Sequence, residues 1–291
     1  MNKHRTKVGF LGLGAMGARM AARLMNDDTE LKVWSRSGVP QGFPSLSHHL
    51  APTAAVAVAD AEIVIAMVTD DDASRAVWLE TGALQGMRPG SVAVECSTLT
   101  PEWVGKLAQQ AQSKGVTLID APVIGSRPQA DAGSLMFLAG GDASALERAR
   151  PTLLRMGSAI HLLGASPAGA HAKLLANALF AAQVATLAEI VTLARRVQLD
   201  LPALARAFDG LPVMSLSTKS ALTGMLAGAF APLFPLRLAA KDLRYAVAQA
   251  RAAHSDVPMT QAASNLFERG IGCGFAEENL TAVLKLYAPE R

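Results

Sequence analysis

Cysteine is nearly absent from this chain of 291 residues: Cys96 and Cys273 are its only two. That is too few for a disulfide framework, and neither stands at metal-ligand spacing. The expectation is a chain held by its core, in a reducing, cytoplasmic compartment, with no metal site. Aromatic residues make up only 5% and charged residues 18%, against 51% hydrophobic. A chain so apolar is not a disordered one. Charge of one sign is also lacking. The formal net charge is +3 with no basic block or stripe, so no nucleic-acid partner is expected. The segment Met1 to Lys7 is polar and has no secretory apolar stretch. Long hydrophobic runs are scarce. Between Lys173 and Glu189 lie 15 uncharged residues that include Asn177 and Gln183. That run reads as too short and too polar to span a bilayer, so no membrane partner is expected.

What is present is alternation. Apolar, β-rich runs occur at Val8–Leu13, Leu31–Ser35, Ile63–Val68, Ser91–Glu95, Thr117–Asp120, Leu135–Ala139 and Ala159–Leu162. Helical stretches separate several of them: Met16–Met25, Ala73–Leu79, Pro101–Lys114 and Ala143–Met156. Strands without polar alternation are buried on both faces, and strand–helix alternation predicts a doubly wound, mostly parallel sheet. The first domain is expected over residues 1–164. From Gly169 to Val197 neither a strand pattern nor a breaker appears, which predicts one helix about 40 Å long. It is apolar nearly all round, so burial on most sides is expected, against other helices and a second subunit. Further helices are predicted over Asp200–Phe208, Leu236–His254, Pro258–Arg269 and Ala276–Leu286, giving an all-helical domain over 165–291.

Two places carry chemistry. Gly12-Leu13-Gly14-Ala15-Met16-Gly17 fits GxGxxG between a strand and a helix. In that context Gly12 makes the tight turn, Gly14 lets backbone approach a pyrophosphate, and Gly17 lets helix and sheet pack closely. The helix start then offers free N–H groups to the phosphates. After the second strand stands Ser35-Arg36-Ser37, without the Asp or Glu that would accept from a ribose 2′-OH. Arg36 and two hydroxyls suit a 2′-phosphate, hence NADP over NAD; the competing reading is a solvated loop arginine. The second place is Lys173, which opens the long helix with Asn177 at i+4 on the same face. A lysine beside a desolvated pocket exchanges protons near neutrality, whereas spacing alone favours a lysine that snorkels at a helix end.

In order along the chain, these residues resemble the β-hydroxyacid dehydrogenases, the family of 3-hydroxyisobutyrate dehydrogenase and the glyoxylate/succinic semialdehyde reductases. The similar segments are Phe10-Leu11 with the glycine loop, Ser97-Thr98 with Pro101, Asp120-Ala121-Pro122-Val123, Gly133-Ser134-Leu135, the Gly169, Lys173, Asn177 helix, and Lys241-Asp242-Leu243. The resemblance implies that Lys173 is the acid/base residue and that Asn177 supports it. It implies that Met67 and Val68 line the dinucleotide and that Thr98 and Lys241 contact its nicotinamide half. It also implies that the segment at Ile124-Gly125-Ser126 meets the substrate carboxylate. Here the chain departs from the family's Ser-Gly-Gly. Ile124 cannot donate a side-chain hydrogen bond, and Ser126 and Arg127 are the candidate replacements.

The function so implied is hydride transfer between NADP, or NAD, and a small β-hydroxyacid or 4-hydroxyacid and its semialdehyde. The protein would be a homodimer or homotetramer joined through its C-terminal helices. Two other classes share the architecture: an imine reductase, against which Lys173 speaks, and a dinucleotide-binding module without turnover.

Overall fold

The computed structural model describes residues 5–287. It forms two compact units, one up to Lys173 and one from Leu174.

In the first unit, strands β1 (Thr6–Leu11), β2 (Thr29–Trp34), β3 (Ile63–Ala66), β4 (Val92–Glu95) and β5 (Thr117–Asp120) form one sheet in the order β2-β1-β3-β4-β5. Every pairing in it is parallel. β3 and β4 are buried along their whole length, as strands covered by helices on both faces must be. The covering helices are α1 (Gly17–Arg23), α2 (Ala54–Val58), α3 (Asp71–Arg75), α4 (Ala83–Gly86) and α5 (Pro101–Gln112). Asp70 caps α3, accepting from Ala73 N at 2.9 Å, and α3 runs on into a π-helical turn, Ala76–Glu80. That turn carries Trp78, which is fully buried. Burying a large apolar side chain contributes roughly 1.5–3 kcal/mol.

The remaining strands correct the expectation of a single sheet. β6 (Val123–Ile124), β7 (Leu135–Ala139) and β8 (Gly157–Leu162) form a separate sheet, with β6 antiparallel and β8 parallel to β7. Pro122 follows β5 and has no N–H to extend a ladder, so the chain leaves the first sheet there. One antiparallel bridge, Asp120 to Gly140, ties β5 to the end of β7. Between β6 and β7 lies α6 (Arg127–Ala132), and α7 (Ala143–Leu153) joins β7 to β8. α6 was not expected. Its signal is a capping box, Ser126 with Gln129 three residues on.

Helix α8 (Ala168–Arg196) is the long helix, and the boundary between the units falls within it. With α9 (Leu201–Asp209), α10 (Leu216–Leu226), α11 (Leu236–Ala252) and α12 (Pro258–Gly272) it makes the second unit. Leu174, Ala181, Val184, Ala188 and Val191 of α8 share a core with Leu236, Leu243 and Phe267. Three expectations change here. The last helix, expected at Ala276–Leu286, is a 3-10 helix over Leu280–Tyr287. α10 went unseen because Ser, Thr and Gly dilute its pattern, although Ser215 caps it. Burial of α8 is also less complete than its composition suggested. Leu175 and Leu179 are each 63% exposed and Leu193 is 62% exposed. At 29 residues with a mean hydropathy of 1.7 in its central window, α8 is long and apolar enough to cross a membrane by length and composition. The 15-residue count missed this because the window tolerates isolated charges. One face of α8 nevertheless forms the core of the second unit.

Candidate active site

The glycine loop sits at the carboxyl end of β1, which lies between β2 and β3 in the five-stranded sheet. β1 stops at Leu11, and Gly12 turns the chain with φ +93°. A Cβ on Gly12 would lie 2.4 Å from Met67 O, and one on Gly17 would lie 2.0 Å from Gly12 O. Both positions therefore require glycine for packing within the protein. Gly14 differs, since a Cβ there would meet no atom within 4 Å. The open space over Gly14 suits a pyrophosphate approaching the backbone. Leu13 is buried below the loop, Ala15 is exposed, and Met16 packs against the core.

β2 lies beside β1, and past its end Ser35 accepts from Gly38 N at 3.1 Å in a turn. Arg36 and Ser37 are exposed on that turn. Among the described residues no carboxylate bonds Arg36, which leaves its guanidinium available to an anion. The sheet order puts Arg36 on one side of β1 and the loops after β3 and β4 on the other.

Those two loops are sewn together by a buried carboxylate that the sequence reading did not single out. Val68 N donates to Ser97 Oγ at 2.8 Å, and Ser97 N donates to Glu95 Oε1 at 2.9 Å. The other oxygen, Glu95 Oε2, accepts from Ser74 Oγ at 2.7 Å and from Trp78 Nε1 at 2.8 Å. Trp103 Nε1 donates to Ser74 Oγ at 3.0 Å. Burial raises the Glu95 carboxyl above its ordinary value, against the pull of these hydrogen bonds. Next to it, burial and then the Glu95 charge push the Cys96 thiol well up, so it stays protonated and inert. Met67 and Val68 flank this network in the loop after β3, and Thr98 follows it in the loop after β4, all three half-buried.

Asp120 ends β5 and is also the partner of a helix start. Its Oδ2 accepts from Ala170 N, in the first turn of α8, at 2.8 Å. Gly169 permits this approach, because a Cβ there would lie 2.3 Å from Leu138 O and 2.7 Å from Asp120 O. The close neighbour of Gly169 is thus the chain itself. Burial raises the Asp120 carboxyl to about 6, although hydrogen bonds oppose the shift.

One turn further on, Lys173 is buried, with 9% of it exposed. Asn177 follows it, also buried, and its Nδ2 donates to Asp242 Oδ2 at 2.6 Å. Lys241 Nζ lies 3.1 Å from Asp242 Oδ1 and 4.9 Å from the centre of the Tyr245 ring. Asp242 therefore orients Asn177 and neutralises Lys241 together. With Nδ2 donating to Asp242, Asn177 keeps Oδ1 as an acceptor. The sequence contained Asp242 within Lys241-Asp242-Leu243 but gave no sign that it pairs with Asn177, 65 residues away.

Ile124 ends β6, half-buried, and Gly125 is exposed. Ser126 N donates to Gln129 Oε1 at 2.9 Å, so Ser126 serves as the cap of α6. Among the described residues no cluster of His, Cys, Asp and Glu could hold a metal ion.

A parallel sheet with a glycine loop between its first strand and the following helix defines a dinucleotide-binding fold. Residues 7–164 match the NAD binding domain of 6-phosphogluconate dehydrogenase. Residues 167–287 match the NAD-binding domain of NADP-dependent 3-hydroxyisobutyrate dehydrogenase. The chain belongs to the β-hydroxyacid dehydrogenase family. The NAD-dependent L-serine dehydrogenase of Pseudomonas aeruginosa is 34% identical over 295 residues, covering 97% of this chain and 98% of its own length. The cytokine-like nuclear factor N-PAC of Xenopus tropicalis is 32% identical over 283 residues, or 97% of this chain and 53% of that protein. The chain thus spans about half the length of the N-PAC relatives. In three dimensions, 3-hydroxyisobutyrate dehydrogenase of Mycobacterium tuberculosis, solved with L-serine, superposes with TM-score 0.89. The two chains are 28% identical, with 98% of this chain and 99% of that one covered.

Proposed function

We propose that the protein is an NADP-preferring oxidoreductase that interconverts a small β-hydroxyacid and its semialdehyde, with Lys173 as the acid/base residue. The observation that carries this reading is the pairing of two features in one chain. One is an open glycine loop with an exposed, unclaimed arginine at the end of β2. The other is a buried lysine one helical turn from an asparagine that Asp242 orients.

Gly12 to Gly17 would cradle the pyrophosphate at the start of α1. Ser35, Arg36 and Ser37 would hold the 2′-phosphate, as a guanidinium with flanking hydroxyls does well. Met67, Val68 and Thr98 would border the rest of the dinucleotide. Its nicotinamide ring supplies or accepts the hydride. The chain's own work is proton handling and orientation. In reduction, the Lys173 ammonium gives a proton to the substrate's carbonyl oxygen as the alcohol forms; in oxidation, the amine takes it back. Asn177 Oδ1 fixes either the lysine or the substrate hydroxyl. Ile124 offers no side-chain hydrogen bond, so Ser126 and Arg127 would meet the substrate carboxylate. Two relatives, one a serine dehydrogenase and one solved with L-serine, support a β-hydroxyacid over a 4-hydroxyacid. The exposed leucines of α8 support a homodimer or homotetramer.

The test is turnover across a panel: NADPH or NADH oxidation with tartronate semialdehyde, glyoxylate, succinic semialdehyde and one uncharged aldehyde, and the reverse reaction with L-serine. Turnover of a three-carbon acid that outpaces the uncharged aldehyde fits the proposal. A second reading, a dinucleotide-binding module without turnover, is favoured by the nuclear-factor relatives; tight NADPH binding with no turnover on any acid would select it.

A further inference from the structure

The carboxyl ends of β3 and β4 part company after Ala66 and Glu95, the last paired residues, and Cys96 N donates to Ala66 O at 2.9 Å just beyond. From there no strand ladder holds the two loops. Side chains hold them instead: Val68 N to Ser97 Oγ, and Ser97 N to Glu95 Oε1. The same carboxylate reaches Ser74 in α3 and Trp78 in the π-helical turn, and Trp103 of α5 joins through Ser74. Glu95 itself is 1% exposed. Two of the groups that meet it, Ser97 N–H and Trp78 Nε1–H, can only donate. Ser74 Oγ already accepts from Trp103, so its own hydrogen goes to Glu95. Both oxygens therefore face obligate donors, and no neutral side chain of the same shape satisfies all three.

We propose that Glu95 is a positioning residue that sets the spacing of the β3 and β4 loops for the half of the dinucleotide lying beyond the pyrophosphate. This rests on the dinucleotide reading above. β1 lies between β2 and β3, so β2 on one side carries Arg36 for the adenosine end, and the remainder of the ligand crosses the ends of β3 and β4 on the other side. Val68 and the Ser97-Thr98 step are the backbone it crosses, and Glu95 fixes their separation from below. No bond of the network reaches the glycine loop or Arg36. Loss of Glu95 should therefore weaken one half of the ligand's site and spare the other.

Glu95→Gln is the probe, because its amide places an N–H against a donor at one oxygen whichever way it is turned. Binding to the full chain is measured by calorimetry with NADP and, separately, with its adenosine 2′,5′-bisphosphate half. Leaving a buried donor unsatisfied weakens an interaction by roughly tenfold or more. The expected result is a roughly tenfold rise in Kd for NADP with the bisphosphate unchanged within about twofold. If both ligands weaken equally, or neither changes, Glu95 serves only the fold and the proposal is overturned. Should Glu95→Gln fail to fold, Ser97→Ala removes the Val68 link between the loops and the serine hydroxyl's bond to Glu95 while keeping the carboxylate, and is expected to give the same asymmetry, smaller. An unchanged NADP affinity in that variant also overturns the proposal. Failure of the dinucleotide reading shows separately, as a wild-type chain that binds neither ligand.

Discussion

In the proposed reading, Arg36 selects the cofactor by the charge it offers. It is exposed after β2 with no carboxylate among the described residues bonded to it, so a 2′-phosphate would gain a charge-assisted contact there, whereas a ribose 2′-OH would find no carboxylate at this turn to accept from it. Hydrogen bonds to charged groups contribute about 1.5–3 kcal/mol. Arg36→Asp is therefore expected to lower kcat/KM for NADPH by roughly tenfold to a hundredfold while raising it for NADH. Steady-state kinetics with both dinucleotides check this, and an unchanged ratio contradicts it. Arg36 could be singled out in the sequence because its reading depends on neighbours along the chain. Asp242 was not, since its meaning comes from Asn177, which reaches it across the core of the second unit. Glu95 was hidden for the same reason: in sequence it is the last residue of an apolar strand, and only the fold gathers Ser74, Trp78 and Ser97 around it.

At the scale of elements, strands and long helices followed from periodicity, but the breaks between them did not. Pro122, which diverts the chain into a second sheet, reads in sequence as an ordinary turn, and α6 depends on a cap rather than on an apolar stripe. The start of α8 carries its own pH dependence. A carboxylate at a helix N-terminus gains about 0.3–1 kcal/mol from the dipole, yet Asp120 titrates at about 6 rather than 3.8, so burial outweighs it. Because the folded value is raised, the folded chain binds the proton more tightly than the unfolded one. The resulting stability is complete below about pH 4 and is lost as pH rises through 6, by about 3 kcal/mol in all. Asp120→Asn keeps an oxygen for Ala170 N and removes the titration. Urea unfolding between pH 4 and 7.5 is expected to show a flatter profile in the variant than in the wild type. Equal slopes would assign the titration to another group.

At the scale of the whole molecule, α8 supplies buried leucines and alanines to the second unit's core and leaves Leu175, Leu179 and Leu193 in solvent. A large exposed apolar stripe marks an association face. Light scattering after gel filtration is expected to find wild type as a dimer or tetramer and Leu179→Arg as a smaller species; a monomeric wild type would remove the face's role. The central claim concerns Lys173, and one comparison tests it most directly: kcat and dinucleotide Kd of Lys173→Ala beside wild type, with the best acidic aldehyde of the panel. Loss of a positioned acid/base group lowers kcat by roughly 10²–10⁴. The account predicts that fall with the dinucleotide Kd unchanged. A variant that turns over at the wild-type rate would contradict it.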